Sequence, residues 1–456
     1  MNTKIIKLLL TMNTKIIKLL LALFSFILLA GCMSSLSGMK VTKKSVKINK
    51  TAIKKLDFFE RYKQNLASMQ ASNYREVIYH QVKNNSTTTK LTRVDYNSID
   101  TDHSQDKIVE YNNLKNANVK YRRSSLYTLM LYDSIDKYSF IYRFSFGKTQ
   151  IPHKFNSHNI GPFLIPIRNG NIERSKEIEN YLNNNNVAKQ LVSRWFNRDS
   201  NGLFNMDLVA KRGEYNASEL DVKVALNSVR GKALLKDAGE ELISNTFIII
   251  YDFSSEPTGN SAWTGLPTMC FNLKSYLYRL VWDDKTASVF YNDYWVDKNN
   301  PDPSRIQAFE ESDLFKLKFV GSSVVKSKIV TDPEKHFSFV DDIIEKLMDD
   351  SMAELQRNYE EFRVKYPLYS GNPIAAKIGK KEGLKEGDKF EVLEQIVNPD
   401  GTTKYQKIGE IRVGSEKDIW DNTAVGDWFG KADSDYTTFK GQNELYHPGM
   451  LIRQIN

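Results

Sequence analysis

Thr246-Phe247-Ile248-Ile249-Ile250-Tyr251 is the densest apolar run of the chain outside its N-terminal leader. It is of strand length and apolar on both faces, which predicts a strand buried inside a sheet. Downstream, Phe271 to Trp282 reads as a second long strand, with Tyr276, Tyr278, Leu280 and Trp282 on one face. The stretch between them, Phe253 to Thr268, is rich in Ser, Gly and Pro and reads as a loop. Upstream, Ser218-Glu219-Leu220-Asp221 opens a helix with serine at the N-cap, and Ala233 to Ile243 continues helical. Phe315 to Val330 reads as a hairpin turning at Gly321-Ser322-Ser323. Val340, Ile343, Leu347, Met348, Leu355, Tyr359 and Phe362 then form an apolar stripe at helical spacing, which predicts a long amphipathic helix packed on the core.

These elements define a mixed α/β domain over residues 151–366. Its first part, residues 151–200, is a connection broken by Pro152, Pro162 and Pro166, followed by helices over Ile172 to Leu182 and Val187 to Phe196. Residues 56–150 read as a Tyr-rich β region. A helix at Leu56 to Met69 precedes strands at Tyr74 to Val82, Lys90 to Tyr96, Ser125 to Tyr132 and Tyr138 to Phe146. Residues 367–456 form a C-terminal β module. There Gly383-Leu384-Lys385-Glu386-Gly387-Asp388 makes a tight bend before the strand around Lys389 to Leu393. Asn398-Pro399-Asp400-Gly401 turns that strand into its return, Lys404 to Val413. The fold class expected is α+β, multi-domain and mixed, ending in a small β-barrel-like module.

The N-terminus carries an address. Lys15 and Lys18 precede an apolar run from Leu19 to Ala30, which is shorter than the roughly 20 residues of a membrane span. Small residues then lead into cysteine in Leu29-Ala30-Gly31-Cys32. These four positions resemble the lipobox of bacterial lipoproteins. The resemblance implies a signal peptide over residues 1–31, lipidation of Cys32 and membrane attachment through its acyl chains. The leader also repeats itself, with Met1 to Leu10 recurring as Met12 to Leu21, and either methionine as start yields the same mature chain. Met33 stands where lipoproteins kept in the inner membrane often carry aspartate, and no acidic cluster follows. That pattern implies the outer membrane, facing the periplasm. As a whole the chain resembles uncharacterised outer-membrane lipoproteins of Bacteroidetes. The glycine-spaced C-terminal stretch resembles the small SH3-like barrels that end some envelope proteins, such as flagellar assembly protein T.

Residues 32–55 hold seven lysines and no acid, which reads as a solvated tether. As flexible coil its length corresponds to about 27 Å. The net charge is +9, and the leader contributes lysines but no acid, so the mature chain is only mildly basic. Nucleic acid is not an expected partner, because a lipidated envelope protein rarely meets it. A hydrophobic content of 41% is enough to build real cores. Removing Cys32 to a lipid leaves Cys270 alone, which excludes an intramolecular disulfide and reads as a buried structural thiol.

Chemistry is sparse. Asn197, Asp199 and Asn201, with Gly202, match the first positions of a calcium loop, but position 12 is Leu208 where a bidentate acid belongs. An ordinary turn has the same look, and no cofactor other than calcium is expected. His153 and His158 lack a visible third ligand for zinc. Ser323-Val324-Val325-Lys326 matches the S-x-x-K pattern without its companion motifs. Trp263, inside the Gly/Ser/Pro stretch, is the tryptophan best placed to touch a ligand. The expectation is a non-enzymatic lipoprotein that binds or scaffolds an envelope partner. The alternative is an envelope hydrolase acting on glycan or peptide through two carboxyls.

Overall fold

The computed structural model describes residues 124–132, 138–149, 151–152, 154–166, 173–213, 236, 239–330, 338–397, 403–422, 435–442 and 446–455. The leader, Cys32, the tether, the strands expected before residue 100 and the helix at Ser218 lie outside them. The described fold is mixed α+β.

The apolar run that anchors the reading is the buried half of β4 (Thr246–Asn260), where Phe247 to Tyr251 are fully buried. It pairs in parallel with β1 (Ser125–Leu131) and antiparallel with β5 (Pro267–Leu280), which in turn pairs with β6 (Leu317–Val330). Two short strands, β2 (Asn156–Ser157) and β3 (Leu164–Ile165), line the far side of β1. Strands from both sides of residue 150 thus share one sheet.

Period-two alternation sends the two faces of β4 and β5 into different cores. Ile248, Ile250, Tyr276, Tyr278 and Leu280 join a cluster with Ile178, Leu182, Leu191 and Trp195. Those partners lie on α2 (Arg174–Asn184) and α3 (Val187–Trp195), within a residue or two of the helices expected there. The opposite face carries Phe247, Tyr251 and Phe253. These pack against α1 (Ser139–Lys148), through Tyr142 on Phe253 and Phe146 on Tyr251, and against Phe362, beyond the long α7 (Ser338–Asn358). On the α2–α3 side lie also α4 (Asp207–Gly213), α5 (Asp284–Val289) and α6 (Pro303–Glu311), where Val209, Phe309 and Phe290, the residue after α5, join the same cluster. Asp283 and Asp302 cap the last two by accepting from their first backbone amides.

Three local expectations are corrected. Tyr138 to Phe146 is helical, not a strand. Its aromatics suggest β structure, yet Ile141, Tyr142, Ser145 and Phe146 are buried at the spacing of a helix face. Phe253 to Thr268 is mostly strand, not loop. Ser254 faces Asn272 and Pro257 faces Met269 in the ladder, and only Ser261 to Leu266 turn. Phe315 to Val330 contains one strand rather than a hairpin. The strand bulges at Val320 instead of turning, and the neighbouring Gly321 leaves room for the Tyr359 ring, which would lie 2.0 Å from a Cβ there.

The C-terminal residues close a ring of six strands: β7 (Lys365–Gly371), β8 (Ile374–Ala376), β9 (Lys389–Val397), β10 (Thr403–Val413), β11 (Thr437–Lys440) and β12 (Leu451–Ile455). The order round the ring is β10-β11-β8-β7-β12-β9. Its interior is apolar, built on Leu368, Phe390, Val392, Ile411, Phe439 and Ile452. Gly383 and Gly387, at φ 77° and 84°, make the bend before β9. The turn at residues 398–402 lies outside the described residues, but β9 and β10 pair on either side of it, Val397 opposite Thr403.

Candidate functional site

Where α7 ends, the chain crosses from the sheet to the ring through a short 3-10 turn, Glu360–Phe362. The crossing leaves an open cleft of about 540 Å³. Ser124, Asn245 and Val320 line it from the sheet, Asn358 to Glu361 from the crossing, and Arg363 to Lys365 with Arg453 from the ring side.

Each wall is set by a local device. The Tyr359 hydroxyl accepts from the Ser322 amide at 3.0 Å and donates to the Ser322 carbonyl, which holds the end of α7 against Gly321. The Arg363 guanidinium donates to the carbonyls of Gln356 and Arg357, the last acceptors of α7, and to Gln454 in β12. A cation at a helix C-terminus satisfies orphan carbonyls and opposes the helix dipole. Glu361 pairs with Arg279 of β5 at 3.2 Å and Glu360 with Arg453 of β12 at 3.3 Å. Arg453 also reaches the buried Glu391 of β9. The cleft is therefore lined by both acceptor and donor groups, each carboxylate paired with an arginine. Such a surface suits a polar ligand that can hydrogen-bond to both.

A second polar cluster sits along α7. Lys381, from the 3-10 turn Lys380–Glu382 in the ring, reaches Glu345 at 3.1 Å and Asp349 at 3.4 Å. Burial raises the Asp349 carboxyl to about 6, against the pull of Lys381 and Lys154. Lys154 is buried, donates to Gln356 Oε1 at 3.2 Å, and is pushed down by that burial. The Tyr251 hydroxyl is buried with no hydrogen-bond partner among the described residues, and burial with Asp349 nearby pushes it up. Arg357 adds a pair with Asp388 at 3.0 Å and a bond to the Gly383 carbonyl. Helix and ring are thus joined by charge as well as by contact.

The residues singled out from sequence fall in separate places. Asn197, Asp199 and Asn201 form a turn after α3. Asp199 Oδ1 accepts from the amides of Asn201 and Leu203, while Asn197 takes φ 43° and bonds Asn205. That is an Asx-type turn, with one Asp199 oxygen already engaged. Among the described residues, no group of three or more His, Cys, Asp or Glu could hold a metal ion. Cys32 and His153 lie outside the described residues.

His158 is fully buried, with Nε2 at 2.9 Å from the Leu191 carbonyl and Nδ1 at 2.7 Å from Arg212. A carbonyl can only accept and a guanidinium only donate, so the ring is neutral with its proton on Nε2. Burial, then the Arg212 charge, push it well down. Arg212 also stacks over Trp195 and bonds Ser125 and the Ser157 carbonyl. This network pins β1, β2, α3 and α4 together. Ser323 is buried and hydrogen-bonded to Ser351, which bonds Ser275, while Lys326 alternates to the opposite face of β6. That geometry separates the serine from the lysine of the S-x-x-K match. Cys270 is half-buried, with its thiol beside Asn272. Trp263 is 97% exposed at the tip of the β4–β5 hairpin. The cleft itself escaped sequence reading, since Asn358 to Lys365 carries no motif; the only available signal was a Glu-Glu pair followed by Arg just past a helix end.

No protein-family model matches the chain, and no curated protein matches it.

Proposed function

We propose that the chain is an outer-membrane lipoprotein, held by acyl chains on Cys32, that binds or scaffolds a partner in the periplasm. The observation that carries this reading is the charged cleft at the joint of sheet and ring, where α7 and Arg363 hold both walls. In this reading the ring is an SH3-like module and the sheet is the platform that carries it. The lysine tether gives the body reach above the membrane. The hydrolytic alternative draws no support from the cleft, since Glu360 and Glu361 are each paired with an arginine rather than facing a common bond.

Two measurements test it. Mass spectrometry of the mature N-terminus should find acyl chains on Cys32; an unmodified cysteine removes the anchor. A photo-crosslinker at the exposed Asn358 should capture a discrete envelope partner in intact cells, and the same probe at exposed Lys385 should not. Equal capture at both positions, or none, rejects the cleft as the binding site.

A further inference from the structure

We propose that the tip of the β4–β5 hairpin is a second membrane contact, which places Trp263 in the interface of an anionic phospholipid bilayer. The proposal rests on the anchored reading above, although its test is separate.

The tip is built to present one side chain. Ser261 and Leu266 close the turn backbone to backbone at 2.8 Å, and the Gly265 amide donates back to the Ser261 carbonyl at 2.8 Å. Thr258 and Thr268 bond across the strands just behind it. Gly259 and Gly265 take positive φ, and a Cβ at either would meet nothing within 4 Å. The turn is thus internally braced and stands clear of the body. On it Trp263 is 97% exposed, beside exposed Ala262 and Pro267 and near Val330 at the end of β6. An indole combines a large apolar face with one N–H donor, which is why Trp gathers at membrane–water interfaces. A pre-formed turn also loses little freedom on docking.

Charge selects the kind of surface. From Pro257 through Trp282, and along the whole of β6, there is no carboxylate, while Lys274, Arg279, Lys318, Lys326 and Lys328 are present. Lys274, Lys326 and Lys328 are exposed on the face of the sheet away from α7. Lys328 stands opposite Cys270, three residues behind Pro267, which puts it about 10 Å behind the turn at about 3.3 Å per residue. A lysine stem can reach forward over much of that distance to a phosphate. The acids of this arm lie on β4, at Asp252 and Glu256. Asp252 pairs with Arg174 and faces Lys274 in the ladder. Asp332 and Glu334 follow β6 in sequence, outside the described residues. An aromatic tip followed by an acid-free, lysine-bearing pair of strands complements anionic headgroups.

The test uses the full chain reconstituted in phosphatidylethanolamine vesicles containing phosphatidylglycerol. Emission lost in W263F isolates Trp263, and neither that change nor K326E/K328E disturbs a buried group. Trp263 emission should be quenched by lipid brominated near the headgroup and shielded from aqueous iodide. K326E/K328E, or vesicles of phosphatidylcholine alone, should return it toward water by about fivefold for each lysine attraction lost. Iodide quenching with no effect of bromolipid, in protein that floats with the vesicles, overturns the proposal. So does shielding that appears only when another protein is added. The acyl mass on Cys32 reports the anchor independently: bromolipid quenching in a chain without acyl groups upholds the arm and overturns the anchor.

Discussion

Replacing Asp349 by Asn should flatten the pH dependence of stability between about pH 4 and pH 6. Asp349 sits on α7, facing Lys381 and, from the loop before β2, Lys154, with Glu345 one turn away and Tyr251 beneath. Burial lifts its carboxyl from an ordinary 3.8 to about 6. Below the lower value, folded and unfolded chains both carry the proton, so Asp349 neither adds nor removes stability. As pH rises between the two values, the unfolded chain releases its proton while the folded chain holds it. Stability therefore falls across this window and levels off above it. At about 1.4 kcal/mol per tenfold, the gap amounts to about 3 kcal/mol. Lys381 is raised by Asp349 and Glu345 against the burial that lowers it, so it titrates above this window. The measurement is denaturant unfolding of the wild type and D349N at intervals from pH 4 to pH 8. Relative to the wild type, the variant should gain about 3 kcal/mol between the two ends. Parallel curves would refute the buried, proton-holding carboxylate and with it the description of the helix–ring joint.

Other outcomes are expected. Gly321→Ala drives a methyl into the Tyr359 ring and should cost about 1–3 kcal/mol in chemical denaturation, with the end of α7 losing hydrogen-exchange protection first. Arg212→Met strands the His158 Nδ1 and the Ser157 carbonyl, at about 1–3 kcal/mol for each acceptor left without a donor; a thermal midpoint equal to wild type would contradict this. Ser351→Ala interrupts the Ser323–Ser351–Ser275 chain under α7 and should cost about 1–3 kcal/mol in the same assay. Trp263→Ser removes no intramolecular packing and should leave stability within about 0.5 kcal/mol of wild type.

What sequence could foretell here follows from where each residue's free energy is spent. Phe247 to Tyr251, Tyr276 to Leu280 and the stripe of α7 are buried through side chains, and side-chain pattern announced them. Ser254 to Asn260 is held in β4 by backbone pairing to β5 while most of its side chains face water, so its composition is that of a loop. The aromatic and β-branched residues of α1 favour a strand intrinsically, and only packing on Phe253 and Tyr251 makes them helical. Gly321 has the chemistry of a turn but is used for close approach of a ring. The cleft was harder still. Its polar groups come from β5, the end of α7, β7 and β12, and nothing in the linear order of Arg279, Glu361, Arg363 and Arg453 brings them together. By contrast Trp263 stood out in the sequence because nothing around it could bury it.

The place of β12 in the ring has a temporal consequence. Leu451 pairs with Pro367 of β7 on one side and with Leu393 of β9 on the other. Until that strand arrives, the five strands before it can form only an open sheet with two bare edges, each a template for mispairing. Synthesis delivers the chain N-terminus first, so the sheet and α7 can be in place while the ring still waits. Loss of β12 would leave a folded platform carrying an unsealed module exposed to proteases. Closure of the ring is thus the last step of its assembly, and it removes both edges at once.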